Sequence, residues 1–380
     1  MLAAILLMAA PPQVVIERIE WVGAQPNTNL FVEMLSDIDP TDADDLSDER
    51  NHQALAHVGR SDVIASRSTF HERRACRTDD RLTQADLVER AAATRLVIIN
   101  EAHVAPWHRA TTAALLEPLK AAGYTHFAAE TFARRGTDGP DPIVRHESEP
   151  HVRRTDGTYF EPHFGHLVET AKRLDYRLVA YEEHGAARDE ATPYDRVAAR
   201  ETAQARDLAA VLAADPSAKI LVHVGHGHVS EEASEWDEGV TMDWMARRLA
   251  AATGIDPLTI SQTDCTGDAG AAPRSLVVPA DARAFVGTDL AIETAPPADF
   301  RVRRDDAVEF RLPASWRAPT GWTLVEVLRA GDPDVAIPVD WLAVHASEAA
   351  AAWPKLSAPP GRYRIRLRPL GEASSARSSD

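Results

Sequence analysis

The feature that most constrains the fold is a series of short, unbroken apolar runs separated by helix-length segments. Leu96-Val97-Ile98-Ile99 is the first. A run that short and that continuous fits a strand covered on both faces, because alternate side chains then meet different helical layers. The next segment puts Leu115, Leu116, Leu119 and Ala122 on one side of a helix. Pro118 is expected to bend or shorten it, and Gly123 to end it. Phe127-Ala128-Ala129 reads as a second strand, residues 163–174 as a helix and 177–181 as a third strand. Residues 191–214 form a long alanine-rich helix, 219–224 a fourth strand, 242–252 a helix and 258–260 a fifth strand. Strands alternating with helices of this length make βαβ units with right-handed crossovers. The expected class is α/β, a three-layer α/β/α domain with a mainly parallel central sheet, over residues 90–270.

The flanks read differently. Residues 1–13 hold a short apolar run that ends in small residues before Pro11 and Pro12. It resembles a secretory signal without a leading Lys or Arg, and is too short to span a bilayer. A periplasmic or extracellular location is the expectation, with a cytoplasmic one as the alternative. Residues 14–89 read as mixed and mostly helical, with an acidic loop at 35–50 that lacks the glycine and closing glutamate of a calcium loop. Beyond residue 270, prolines punctuate short alternating runs at 300–303, 308–311, 323–327 and 363–367, which predicts a small β-rich module over 297–370. Residues 371–380 are Ser-rich and expected to be a disordered tail.

Net charge excludes some partners. At −17 the chain lacks the clustered cationic surface that binds nucleic acid or anionic lipid. The arginines at 301, 303 and 304 and at 362, 364, 366 and 368 alternate, and are expected on solvated strand faces. Cys76 and Cys265 have no zinc-finger spacing; a disulfide between them depends on the compartment.

In an open parallel sheet, ligands sit beyond the carboxyl ends of the strands. The first strand delivers Asn100-Glu101-Ala102-His103 there, and the second Glu130. The third delivers Glu182-Glu183-His184, and the fourth Gly225-His226-Gly227-His228. Histidine exchanges protons near neutral pH, and a carboxylate can hold its tautomer or activate water. Glu101, His103, Glu130 and His228 are the expected catalytic residues. Glu101, His103 and His228 could equally ligate a divalent metal such as Zn, Mn or Co. His108, His226 and Arg200 are candidate contacts to a bound group. Each has a structural alternative: a helix-surface role for His108, an outward ring for His226 and a salt bridge for Arg200. Glu130 could pair with Arg134, and His223, inside its strand, is expected to pack against a helix. No GxSxG elbow, P-loop, GxGxxG or HExxH is present.

The ordered set Val97-Ile98-Ile99-Asn100-Glu101-Ala102-His103, then His108, Ala128-Ala129-Glu130 and Val222-His223-Val224-Gly225-His226-Gly227-His228 resembles a known superfamily. It joins ChaN-type haem-binding uptake proteins, Tiki-type metalloproteases and erythromycin-esterase-like hydrolases. The resemblance spans about residues 90–260. It implies an α/β/α fold with a Glu/His site formed by Glu101, His103, Glu130 and His228. Asn100 stands where the family usually has Gly, and the Glu-x-His spacing is nearer the ChaN-type branch than the esterase branch. Three functions follow as expectations. The first is a hydrolase of a small-molecule or peptide substrate. The second is a haem or iron-ligand binder, with Trp107 or Tyr181 available to stack. The third is a non-catalytic interaction module.

Overall fold

Leu96–Glu101 is buried along its whole length and lies at the centre of the larger sheet. Leu96 and Ile98 face one helical layer, whereas Val97 and Ile99 face the other. This is the two-residue period of a strand, with both faces apolar. A computed structural model describes residues 13–22, 30–76, 81–132, 148–157, 160–182, 192–271, 276–277, 287–313, 315–316, 318, 320–349 and 352–370. Residues 1–12, the tail at 371–380, Arg134, Glu183 and His184 lie outside them.

Six parallel strands run in the order Leu290–Ile292, Leu258–Ser261, Leu96–Glu101, Ile220–Gly225, His126–Ala129 and Arg177–Val179. Leu276–Val277 adds to the first edge in antiparallel sense, and Arg81–Leu82 pairs antiparallel to it in turn. Helices Trp107–Ala121 and Pro162–Arg173 cover one face through Leu115, Leu116, Leu119, Phe164 and Leu167. Helices Pro193–Ala214 and Met245–Thr253 cover the other through Leu208, Leu212, Met245 and Leu249. The three-layer expectation therefore holds. The first helix continues through Pro118 to Ala121 instead of stopping, and the Ala114 carbonyl, which the proline leaves without an N–H, is approached by Gln84 Nε2 at 3.5 Å. Gly123, at φ +91°, then takes a backbone conformation that a side chain disfavours.

A second sheet joins both ends of the chain. Val14–Trp21 pairs parallel to Gly361–Leu370, which pairs antiparallel to Trp322–Arg329, itself antiparallel to Asp340–His345. Of the alternating arginines here Arg362 is exposed, as expected, but the other three are not on a solvated face. Tyr363, Ile365 and Leu367 fill one core, while Arg364, Arg366 and Arg368 are buried on the opposite side. They lie against Glu20, Glu326 and Asp334. Arg154, from the α/β domain, reaches the same Glu326 at 2.5 Å. Both faces of this strand are covered, so a period of two separates an apolar core from an ion-paired one. Residues 300–303 form no strand. Arg301 is buried, with its guanidinium on Asp340 and on the carbonyls of Gly59 and Trp341.

The acidic stretch at 35–50 is largely helical. Asp42 and Asp48 cap the helices Ala43–Ser47 and Glu49–His57, each accepting from a backbone N–H two residues on. Residues 30–64 seat on the second sheet: Val32, Leu35, Leu55 and Ile64 pack with Trp322, Leu324 and Trp341. The indoles of Trp322 and Trp341 donate to the carbonyls of Ile38 and His57, each at 2.7 Å. Cys76 and Cys265 form a disulfide. Among the described residues no helix is long and apolar enough to cross a membrane.

Candidate functional site

Glu101 is the last residue of the central strand, and both of its oxygens are occupied. Arg109, in the first turns of the following helix, donates to them from Nε at 2.7 Å and Nη2 at 2.9 Å. This two-point fork is the geometry that suits guanidinium to carboxylate. His223 Nε2, from the neighbouring strand, lies 3.0 Å from Glu101 Oε2, and His103 Nδ1 lies 3.2 Å from Oε1. Burial alone would raise the Glu101 carboxyl. Arg109 and His223 outweigh it and hold it well below the usual carboxylate range. The free arm of Arg109 reaches Glu161 at 2.9 Å. Glu161 caps the helix Pro162–Arg173, and its other oxygen lies 2.5 Å from His163 Nδ1.

Glu130, beyond the next strand but one, repeats this plan. Its Oε1 is paired with Arg200, which is held from behind by Glu182 at 2.8 Å and 3.1 Å. Its Oε2 accepts the Gly225 N–H at 2.6 Å. Burial pushes the Glu130 carboxyl up, but His228, Arg200 and His103 overcome this and lower it. His228 Nε2 faces one donor and one acceptor, Arg200 Nη1 at 3.2 Å and Glu130 Oε1 at 3.8 Å. Its Nδ1 approaches the buried Glu201 at 2.6 Å, off the line of a good hydrogen bond, so the contact is ionic. Burial disfavours the imidazolium, yet Glu201 and Glu130 win and the His228 pKa is raised.

The two halves meet over Gly225. A Cβ there would lie 2.9 Å from His103 Nε2 and 3.0 Å from Glu130 Oε2, so those atoms are no more than about 6 Å apart. The backbone at Gly225 is extended (φ −80°, ψ 151°), so the glycine serves closeness of approach and not an unusual conformation. His103 is about a third exposed (33%), and its Nε2 has no hydrogen-bond partner among the described residues. Above lies a cleft of about 490 Å³ lined by Glu101, His103, Arg109, Glu130, Arg200 and His223, with Phe31, His57 and Phe164 among its other walls.

Four sequence-chosen residues, Glu101, His103, Glu130 and His228, thus lie in one connected set, with Arg200 bridging Glu130 to His228. His108 is elsewhere. It is buried, accepts the Ala102 N–H at 3.0 Å and lies 3.0 Å from Thr294 Oγ1; burial lowers it to about 3. It braces the turn after Glu101. His226 is exposed, with its ring beside those of Phe70 and His103. His223 does touch a helix, through Thr112 at 3.1 Å, but its other nitrogen faces Glu101. Sequence reasoning missed Arg109, Glu161 and Glu201. Glu161 stands before Pro162 as a helix cap would, which marks a helix start but not its link to Arg109.

No family model and no curated protein matches this chain. Among solved structures it is similar to the type III effector HopBA1, at 18% identity over 59% of this chain and 97% of that one, with a TM-score of 0.37. It is similar to a structure described as bacterial protein toxins at 17% identity, over 45% of this chain and 35% of that one, TM-score 0.31. A third is RRSP, a MARTX toxin effector domain from Vibrio vulnificus CMCP6, at 14% identity over 73% of this chain and 55% of that one, TM-score 0.32. The chain spans about a third and just over half of the last two.

Among the described residues no three of His, Cys, Asp and Glu stand together as a metal-holding group. The geometry shows why Glu101, His103 and His228 do not make one. A guanidinium occupies both Glu101 oxygens, another lies at His228 Nε2, and Glu201 faces His228 Nδ1. A divalent cation would have to displace two fixed cations to gain its ligands. The aromatic residues expected to stack on haem do not line the cleft: Trp107 and Tyr181 lie in the cores beneath it.

Proposed function

We propose that the chain is a hydrolase of esters or peptide bonds whose cleft works with Glu, His and Arg side chains alone. The observation that carries this reading is the placement of His103. Glu101 holds its Nδ1, while Nε2 opens into the cleft within about 6 Å of the ionised Glu130. An imidazole held at one nitrogen by a carboxylate and free at the other is the arrangement of a general base. One water molecule can bridge that gap, donating one proton to Glu130 and the other to His103 Nε2.

In the proposed reaction the water oxygen bonds to the substrate carbonyl carbon as its proton passes to His103. Glu101 stabilises the resulting imidazolium, and Arg109 keeps Glu101 ionised at that moment. The negative charge that develops on the carbonyl oxygen falls beside the Arg200 guanidinium, which lines the cleft. His103 then returns the proton to the leaving oxygen or nitrogen as the bond to carbon breaks. The ordered Glu-x-His and Gly-His-Gly-His motifs, similar to those of the ChaN, Tiki and erythromycin-esterase superfamily, support this assignment. The Cys76–Cys265 disulfide supports an oxidising compartment.

The test is a screen of activated esters and short peptides with the wild type beside His103→Ala and Glu101→Gln. Loss of about 10²–10⁴-fold in kcat/KM is expected for His103→Ala. Full activity of both variants on a substrate the wild type hydrolyses would overturn the assignment.

A further inference from the structure

The charges at the cleft floor satisfy one another. Arg109 lies between Glu101 and Glu161, and Arg200 between Glu130 and Glu182. A substrate carboxylate or ammonium bound there would have to take its partner from one of these pairs, at the cost of leaving a buried charge uncompensated. The side wall is different in kind. It comes from outside the α/β domain, from helices Leu30–Met34 and Glu49–His57. These bring Phe31, Gln53 and His57 to the cleft, with Phe164 from the α/β domain also lining it. Burial is the largest influence on His57 and lowers it to about 3, so its ring is neutral at any working pH. The half-buried Gln53 amide makes no hydrogen bond among the described residues, so a donor and an acceptor remain for a neutral ligand. The wall is also held in place. Trp341 donates to the His57 carbonyl at 2.7 Å, and Arg60, just beyond that helix, is buried and paired with Glu348 at 2.6 Å.

We propose that the wall formed by Phe31, Gln53 and His57 is the specificity surface of this cleft, and that it takes an uncharged apolar or aromatic group joined to the scissile bond by a neutral ester or amide. On this account the β-rich module has a role in the site: its tryptophans and Glu348 position the wall that selects the substrate. The inference rests on the hydrolase reading for what happens to the ligand, but not for where the ligand binds.

The test is a fluorescence titration of the full chain with N-phenyl-1-naphthylamine, an uncharged aromatic probe, and with 8-anilino-1-naphthalenesulfonate, which adds one negative charge. The neutral probe is expected to bind the wild type about tenfold more tightly, the ratio that roughly one lost favourable contact produces. Phe31→Ala should weaken it by about tenfold and Phe31→Leu, which keeps an apolar side chain and the helix, by about threefold. Gln53→Ala should leave probe binding within about twofold and raise KM, not lower kcat, for 4-nitrophenyl butyrate. Equal binding of the two probes, or wild-type affinity for the neutral probe in both Phe31 variants, would overturn the proposal. If the probe pattern holds while no ester or peptide is hydrolysed, the hydrolase reading falls and the specificity surface stands. If esters are hydrolysed and the probe pattern fails, the outcome is the reverse.

Discussion

Replacing Gly225 by alanine adds one methyl group at the point where the two halves of the site meet. The backbone there is extended, so alanine adopts it without strain, and the loss of chain freedom in the unfolded state favours the variant by about 0.4–1 kcal/mol. The new Cβ would lie 2.8 Å from His103 Cε1, 2.9 Å from Nε2 and 3.0 Å from Glu130 Oε2. Ordinary contact distances for such atoms are roughly 3.5–4 Å, so something must move by about 0.5–1 Å. Glu130 is pinned by Arg200 and by the Gly225 N–H, whereas His103 is held at Nδ1 only. The imidazole is therefore the group that yields, and it swings out of the cleft. Overpacking costs about 1–3 kcal/mol, so net destabilisation should be modest, on the order of 1 kcal/mol. A reacting group misplaced by about 1 Å costs roughly 10²-fold in rate. The expected outcome is a Tm within a few degrees of wild type and kcat/KM lower by about 10²-fold. Gly227→Ala is the control, because the three atoms nearest its Cβ all belong to the Trp244 ring, at 3.3–3.5 Å. Wild-type kcat/KM in Gly225→Ala would refute the placement of the reaction between His103 and Glu130.

Glu161→Gln keeps a cap for its helix but removes the charge behind Arg109. Loss of about 3 kcal/mol in chemical denaturation is expected, together with a fall in kcat at unchanged KM. His228 gives a pH signature. Its folded-state pKa lies above the ordinary 6.5, so its ionic contact adds stability that is complete below 6.5 and is lost as pH rises through the folded value. His228→Asn should flatten the decline in Tm above pH 6.5, and an unchanged slope would exclude the contact with Glu201. Glu101 behaves in the opposite sense. Its pKa is depressed, so its contribution is present above 4.5 and lost as pH falls through the lower folded value; Glu101→Gln should shift acid unfolding seen by circular dichroism. Cys76→Ser opens a cross-link between residues 189 apart and should cost about 2–5 kcal/mol, read as a lower Tm that reductant does not lower further.

What the sequence made legible was set by period and position. Residues 96–99 are continuous and apolar because two helical layers cover them, and that arrangement also forces the polar residues to the strand ends. Glu101, His103, Glu130 and His228 could be found for this reason. Arg109 could not. Eight residues beyond Glu101 on an amphipathic helix, an arginine has no local mark that separates a solvated charge from one buried between two carboxylates. Arg364, Arg366 and Arg368 misled for the same reason, since alternation reports that two faces differ without saying that the polar one meets water. Buried ion pairs join residues far apart in the chain: Arg109 to Glu161, Arg200 to Glu130, Arg154 to Glu326. Neither partner of such a pair alters the periodicity of its own element. The carboxylates Glu101 and Glu130 are held ionised by cations that only the folded chain brings to them. Their chemistry is therefore a property of the tertiary structure, while their location is a property of the strands.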